Sequence, residues 1–299
     1  MTDRKVWTLK SVAKELGVSN ATVSNAFNRP DQLSKKRRDD ILESCEKIGY
    51  SGPNKAAQSL RKGHSNIVAL VLPDSIDYMI TDPVASDFVN GVSKKKKKSK
   101  VNLLLFSGNS DHINAVSDFA DGFICYGRPR NAKLIDQLRT TTKKVVTADF
   151  DIDRKASVGI DNEQAAYEIA KLAINSKDDD IAILGLRLLE SNVTCRVYDL
   201  SDSDLQCSIA HQRLRGYKRA IEELGVNLRA DRVWNIPESK HNSALIAARE
   251  ALTSTPRPNV LLCMSDLIAL AAIKEIKSMG LHIPEDIRVV GFDGINEAL

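Results

Sequence analysis

Apolar positions in this 299-residue chain recur with two different periods, and the change of period divides it. Near the start the spacing is helical. Leu9, Val12, Ala13 and Leu16 form one stripe, with Lys10, Lys14 and Glu15 elsewhere on the same helix. Thr8 supplies a cap. Gly17 can take the left-handed conformation that ends a helix, and Ser19 can cap a second one beginning at Asn20. On that helix Val23, Ala26 and Phe27 turn inward, leaving Asn20, Thr22, Ser24 and Asn25 for a groove. Ser34 caps a third pattern, Ile41, Leu42, Cys45 and Ile48, stopped by Gly49. Two short helices around a glycine also occur in enzymes and helical bundles, so this layout alone does not single out DNA.

Beyond residue 65 the pattern changes to short, almost wholly apolar runs at 67–72, 101–106, 122–125, 145–147, 181–184, 260–263 and 287–290. Such runs suit strands buried on both faces. Helical patterns at 85–97, 132–138, 163–174, 212–224, 243–252 and 267–279 lie between most of them, and this alternation predicts parallel sheets covered by helices on both sides. About 235 residues exceed one small sheet, so the expectation is two similar subdomains with a ligand between them.

Charge follows the same division. Residues 1–62 hold thirteen Lys and Arg against seven Asp and Glu, whereas the remainder holds thirty against thirty-two. A local basic surplus fits a DNA-binding head, because phosphate neutralisation supplies most non-specific affinity. Lys35, Lys36, Arg37 and Arg38 crowd the first turn of the third helix, where cations oppose the helix dipole; phosphate contacts would account for them. The run Lys94 to Lys98 reads instead as a solvated face or helix end.

Other chemistry finds little support. Cys45, Cys125, Cys195, Cys207 and Cys263 lack paired spacing, and His64, His112, His211, His241 and His282 form no metal-spaced pair. No cofactor is expected. Neither a Gly-x-Ser-x-Gly elbow nor a phosphate loop is present, so an enzyme body behind a DNA-binding head is the weaker alternative. The polar N-terminus, with no signal peptide or spanning segment, points to a reducing cytoplasm.

The segment from Thr8 to Asn28, then Tyr50 and Pro53-Asn54-Lys55-Ala56-Ala57-Gln58-Ser59-Leu60, resembles the head and hinge of the LacI family of bacterial transcription regulators. Val289-Val290-Gly291-Phe292-Asp293 matches a second signature, and the likeness extends loosely along nearly the whole chain. It implies an all-α helix-turn-helix head at 1–52, a hinge helix and linker at 53–65, and a periplasmic-binding-protein-like α/β body. In that body two doubly wound parallel-sheet subdomains occupy 66–158 and 159–290. The family continues past this point with a crossover and closing strand, so 291–299 reads as the start of a crossover with the remainder missing.

The resemblance also implies roles: a repressor binding palindromic double-stranded operator DNA as a homodimer, with a tetramer as the alternative, under a small polar effector such as a sugar or nucleoside. Asn20, Ala21 and Asn25 would read bases, and Asn25 stands where many relatives carry arginine. Thr8, Ser19, Thr22, Ser24, Lys35 and Arg37 would touch the DNA backbone. Asn54, Ala57 and Leu60 would enter the minor groove, with Pro53 starting the hinge helix and Leu60 as an apolar wedge. Arg213 and Asp266 would clamp the effector, with Asp161 and Asp74 as further pocket candidates; Asp74 follows a strand, where ligands of such folds lie.

Overall fold

The three apolar stripes of the first fifty residues become helices. Helix α1 (Leu9–Glu15) starts at Thr8 in a reciprocal cap: the Thr8 hydroxyl accepts from the Ser11 amide, and the Ser11 hydroxyl accepts from the Thr8 amide. Helix α2 (Asn20–Asn28) starts at Ser19, whose Oγ accepts from the Thr22 amide at 3.1 Å. Gly17 lies between them at φ +64°, a conformation open to glycine without steric cost. Helix α3 (Lys35–Lys47) is capped by Ser34. Val12, Ala13, Val23, Ala26, Ile41, Cys45 and Tyr50 bury together between the helices, and Phe27 meets Tyr50 edge-on at 5.8 Å.

The computed structural model describes residues 7–53, 63–96, 101–198 and 208–298. The hinge residues Asn54, Ala57 and Leu60, the end of the lysine run at Lys97 and Lys98, and Cys207 lie outside the described residues. Two compact units make up the chain: a head, Met1–Asn66 with Phe119–Asp121, and a body comprising the rest.

The body holds two five-stranded sheets. The first contains β1 (Ile67–Leu72), β2 (Asn102–Ser107), β3 (Gly122–Tyr126), β4 (Lys144–Ala148) and β5 (Ala156–Val158), all parallel, in the order β2-β1-β3-β4-β5. Helices α4 (Ile76–Met79), α5 (Pro83–Lys96), α6 (Asn114–Ser117) and α7 (Ala132–Thr140) connect its strands. The second contains β6 (Ile181–Leu186), β7 (Cys195–Arg196), β8 (Val233–Ile236), β9 (Val260–Cys263) and β10 (Arg288–Val290) in the order β10-β9-β6-β8-β7. Helices α8 (Asn162–Ala173), α9 (Ile209–Glu223), α10 (His241–Thr253) and α11 (Asp266–Ser278) cover it.

Strand β6 shows why the apolar runs are continuous. Ile181 and Ile183 pack in the layer of α8 and α9, while Ala182 and Leu184 pack in the layer of α10 and α11. Successive strand residues point to opposite faces, so a strand covered on both sides has no polar position to spare. Helices α8 and α9 come together at Gly216, where a Cβ would run into the Glu163 carbonyl.

Three strands lack such a run, which is why the sequence does not announce them. Asn235 interrupts β8, buried but satisfied by donating to the Val193 carbonyl and accepting from the Leu189 amide. All three residues of β5 are exposed at a sheet edge. Strand β7 has two residues and runs antiparallel to β8, so the second sheet carries one antiparallel edge.

Candidate functional site

On α2 the polar and apolar faces separate cleanly. At about 100° per residue, Asn20, Ala21, Ser24, Asn25 and Asn28 fall on one side, opposite Val23 and Ala26, which are fully buried. Asn20 and Ala21 are exposed and Asn25 half-buried. Asn28, which the sequence reading passed over, donates from Nδ2 to the Ser24 carbonyl at 3.0 Å. Among the expected backbone contacts, Thr8 and Ser19 serve as helix caps, and the Thr22 hydroxyl lies 2.8 Å from that of Ser19. Lys35 and Arg37 are exposed on the first turn of α3.

In the body, a cavity of about 250 Å³ opens where the carboxyl ends of the two sheets face each other. Pro73 follows β1, Arg128 follows β3 and Asp149 follows β4. From the second sheet, Arg187 follows β6, Ser239 lies beyond β8, Met264 follows β9 and Asp293 lies beyond β10. Tyr78, Met79, Asp82 and Val84 line it from the α4–α5 region, and Ser208, Ile209, Ala210 and Arg213 from the start of α9. Placement beyond strand ends is the rule for ligand sites of open α/β sheets.

Arg213 is held on several sides. Its Nε donates to Asn162 Oδ1 at 3.0 Å and its Nη1 to the Met264 carbonyl at 2.5 Å; Asp293 Oδ1 lies 3.1 Å from Nη1. Its guanidinium stacks 3.6 Å from the centre of the Phe292 ring. Two of its five N–H groups donate hydrogen bonds, Asp293 adds an ion pair, and Nη2 donates to none of the described residues. Burial pushes the Asp293 carboxyl up to about 6, against the pull of the Arg213 guanidinium and with the push of Asp266.

A second group of contacts ties the two subdomains together beside the cavity. Asp74 Oδ2 pairs with Arg187 at 3.0 Å and with Arg130 at 2.9 Å, while Oδ1 accepts from the Ser75 amide and from Asn109. Burial alone would raise the Asp74 carboxyl, but these donors outweigh it and hold it below the usual carboxylate range. Tyr78 Oη accepts from the Ser239 amide across the same boundary at 2.9 Å.

Of the four effector residues expected from the sequence, Arg213 alone lines the cavity. Asp266, Asp161 and Asp74 are not among its lining residues. Asp266 Oδ2 accepts from the Gly294 and Ile295 amides at 2.7 and 2.9 Å, so it holds the turn that presents Asp293. Asp161 caps α8 through the Gln164 amide, and the first residue of that helix, Asn162, holds Arg213. Asp74 holds Arg187. The sequence reading missed Asp82, Arg128, Asp149, Arg187 and Asp293. The rule that ligands lie beyond strand ends, applied to every strand as it was to Asp74, would have reached Asp149 and Arg187.

Among the described residues there is no group of His, Cys, Asp and Glu able to hold a metal ion, and no helix long and apolar enough to cross a membrane.

A helix-turn-helix head and a two-sheet α/β body define a DNA-binding regulator by class, and comparison with known proteins agrees. Residues 8–54 match the family described as bacterial regulatory proteins, lacI family, and residues 179–298 match the periplasmic binding protein-like domain. The chain is 34% identical to the HTH-type transcriptional regulator Rv3575c of Mycobacterium tuberculosis, an alignment covering 100% of this chain and 85% of that one. It is 31% identical to the HTH-type transcriptional regulator IpsA of Corynebacterium glutamicum, covering 98% and 84%. A crystal structure of a LacI-family transcriptional regulator from Corynebacterium glutamicum superposes with a TM-score of 0.65 at 26% identity, covering 98% of this chain and 85% of that one. The chain belongs to the LacI family of transcriptional regulators. These relatives are regulators rather than enzymes, which removes the alternative of an enzymatic body.

Proposed function

We propose that this regulator is a cytoplasmic repressor that binds a palindromic operator as a homodimer and responds to a small polar effector, a sugar or nucleoside, in the body cavity. A helix-turn-helix reads one half-site per head, so a palindrome requires two heads. Asn20, Ala21 and Asn25 read bases from the exposed face of α2, and Leu60 wedges the minor groove. Thr8, Ser19, Thr22, Ser24, Lys35 and Arg37 support the phosphate contacts.

The observation that carries the effector half of this reading is the origin of the cavity lining in the strand ends of both sheets. A ligand there touches both subdomains and so binds their closed arrangement better than any open one, which is the differential affinity a switch requires. Arg213 donates from its open Nη2, Asp293 and Asp149 accept from hydroxyls, and Asp266, Asp161 and Asp74 hold the lining residues in place.

The test begins with a thermal-shift screen of sugars, nucleosides and their phosphates. Operator binding is then measured with each hit, on duplexes that the wild-type protein enriches from a random-sequence pool. Arg213→Ala should abolish the effector response while leaving effector-free DNA binding within about threefold of wild type. If ligand normally releases DNA, the variant stays bound; if ligand is a corepressor, it stays free. Near wild-type effector affinity in Arg213→Ala would place the pocket elsewhere.

A further inference from the structure

The four cations in the first turn of α3 do not share one environment. Lys35, Lys36 and Arg37 are exposed, whereas Arg38 is half-buried and donates from Nε to the carbonyl of Ala26 on α2 at 3.1 Å. That carbonyl has a specific need for a donor. In a continuing helix it would accept from the amide four residues on, but that residue is Pro30, which has none. The neighbouring Asn25 carbonyl does receive its amide, from Arg29 at 2.9 Å. Ala26 is fully buried, and its carbonyl is one that the end of α2 leaves open.

We propose that Arg38 is a positioning residue for the recognition helix: its guanidinium replaces the amide that Pro30 lacks, caps the carboxyl end of α2 and fixes the angle between α2 and α3. A cation at the end of α2 also complements the negative pole of that helix, which offsets its unfavourable place at the start of α3. Arg38 thus acts on sequence selectivity through α2, and Lys35, Lys36 and Arg37 are left for phosphate. The inference rests on α2 being the base-reading helix.

The discriminating variant is Arg38→Gln. Glutamine carries its amide nitrogen the same number of bonds from the backbone as arginine carries Nε, so it keeps the donor and discards the charge. The full-length protein is titrated against mixed-sequence DNA over a range of salt, and against duplexes that the wild type enriches from a random pool. Each lost phosphate contact lowers the slope of log K against log salt by about 0.9. Arg38→Gln should keep the wild-type slope and selectivity, whereas Arg37→Gln should lose about 0.9 from the slope with selectivity intact. Arg38→Met, with neither donor nor charge, should keep the slope and lose tenfold or more in selectivity; if its head does not fold, the glutamine pair decides alone. A slope reduced by about 0.9 in Arg38→Gln, or unchanged selectivity in a folded Arg38→Met, overturns the proposal. Failure of the wild type itself to enrich any sequence would instead defeat the DNA-reading assignment.

Discussion

Replacing Asp293 with asparagine isolates the cost of ionising a carboxyl at the cavity wall. The asparagine amide would keep an oxygen for Arg213 Nη1, so the packing is nearly preserved and the charge alone is removed. The carboxyl rises from 3.8 to about 6 in the folded protein because burial outweighs its pairing with Arg213. About two pKa units correspond to about 3 kcal/mol between the two protonation states. The sign follows from linkage: a raised pKa contributes stability that is complete below the unfolded value, 3.8, and is lost as pH rises through about 6. Roughly half of this change falls between pH 5 and pH 7.5, about 1.4 kcal/mol. Asp293→Asn lacks this component, so its stability relative to wild type should improve by that amount over the interval. Urea unfolding of both proteins at the two pH values measures it. With a slope of about 1–3 kcal/mol per molar, the gap between midpoints should change by roughly half a molar or more. A gap that is the same at pH 5 and pH 7.5 would refute the ionisation argument, whatever its absolute size.

Other outcomes follow from the remaining contacts. Asn25→Ala should cost about 1–3 kcal/mol on the preferred duplex and relax selection at one base pair per half-site, measured by competition with single-base variants; a uniform loss on all sequences would make Asn25 a backbone contact. Leu60→Ser should reduce DNA bending and specific affinity together while salt-sensitive non-specific binding persists, and an unchanged bend angle would rule out the wedge. Asp74→Asn should destabilise the body by on the order of 2 kcal/mol, because two guanidiniums lose a charged acceptor; an unchanged thermal midpoint would show the cross-subdomain pair to be idle.

The legible parts of this chain are those where one physical demand acts over many residues. Strand β1 is readable to the residue because Ile67–Leu72 is apolar throughout, and the head helices are readable because a cap, an apolar stripe and Gly17 agree. Strand β8 is not readable, because its buried Asn235 is satisfied by the Leu189 amide and the Val193 carbonyl, both distant in sequence. The cavity follows the same logic. Family likeness pointed to Arg213, but the direction of each carboxylate depends on which amides lie near it, and no local pattern shows that the Asp266 carboxylate is engaged by the Gly294 and Ile295 amides. Arg38 was equally hidden: its charge pointed to phosphate, and the missing amide of Pro30 explains it only once α2 and α3 are packed together.

Backbone conformation supplies a separate argument for the cavity as a functional site. Asp149, Arg187 and Asp293 adopt φ of +59°, +53° and +113°, in the left-handed region that non-glycine residues enter at a cost of about 1–2 kcal/mol. All three line the cavity. Each lies where the chain leaves the carboxyl end of a strand, β4, β6 or β10, and glycine at any of them would relieve the backbone. Glycine, however, has no side chain to place. An aspartate or arginine held in this conformation keeps a charged group at the cavity wall, and the strain is sustained by the sheets and helices that fix the strand ends. Strained residues persist where surrounding structure over-determines them and where their geometry serves a function. The convergence of three such residues, from both sheets, on one cavity is therefore evidence of a preformed polar site, independent of the sequence resemblance and of any single ion pair within it.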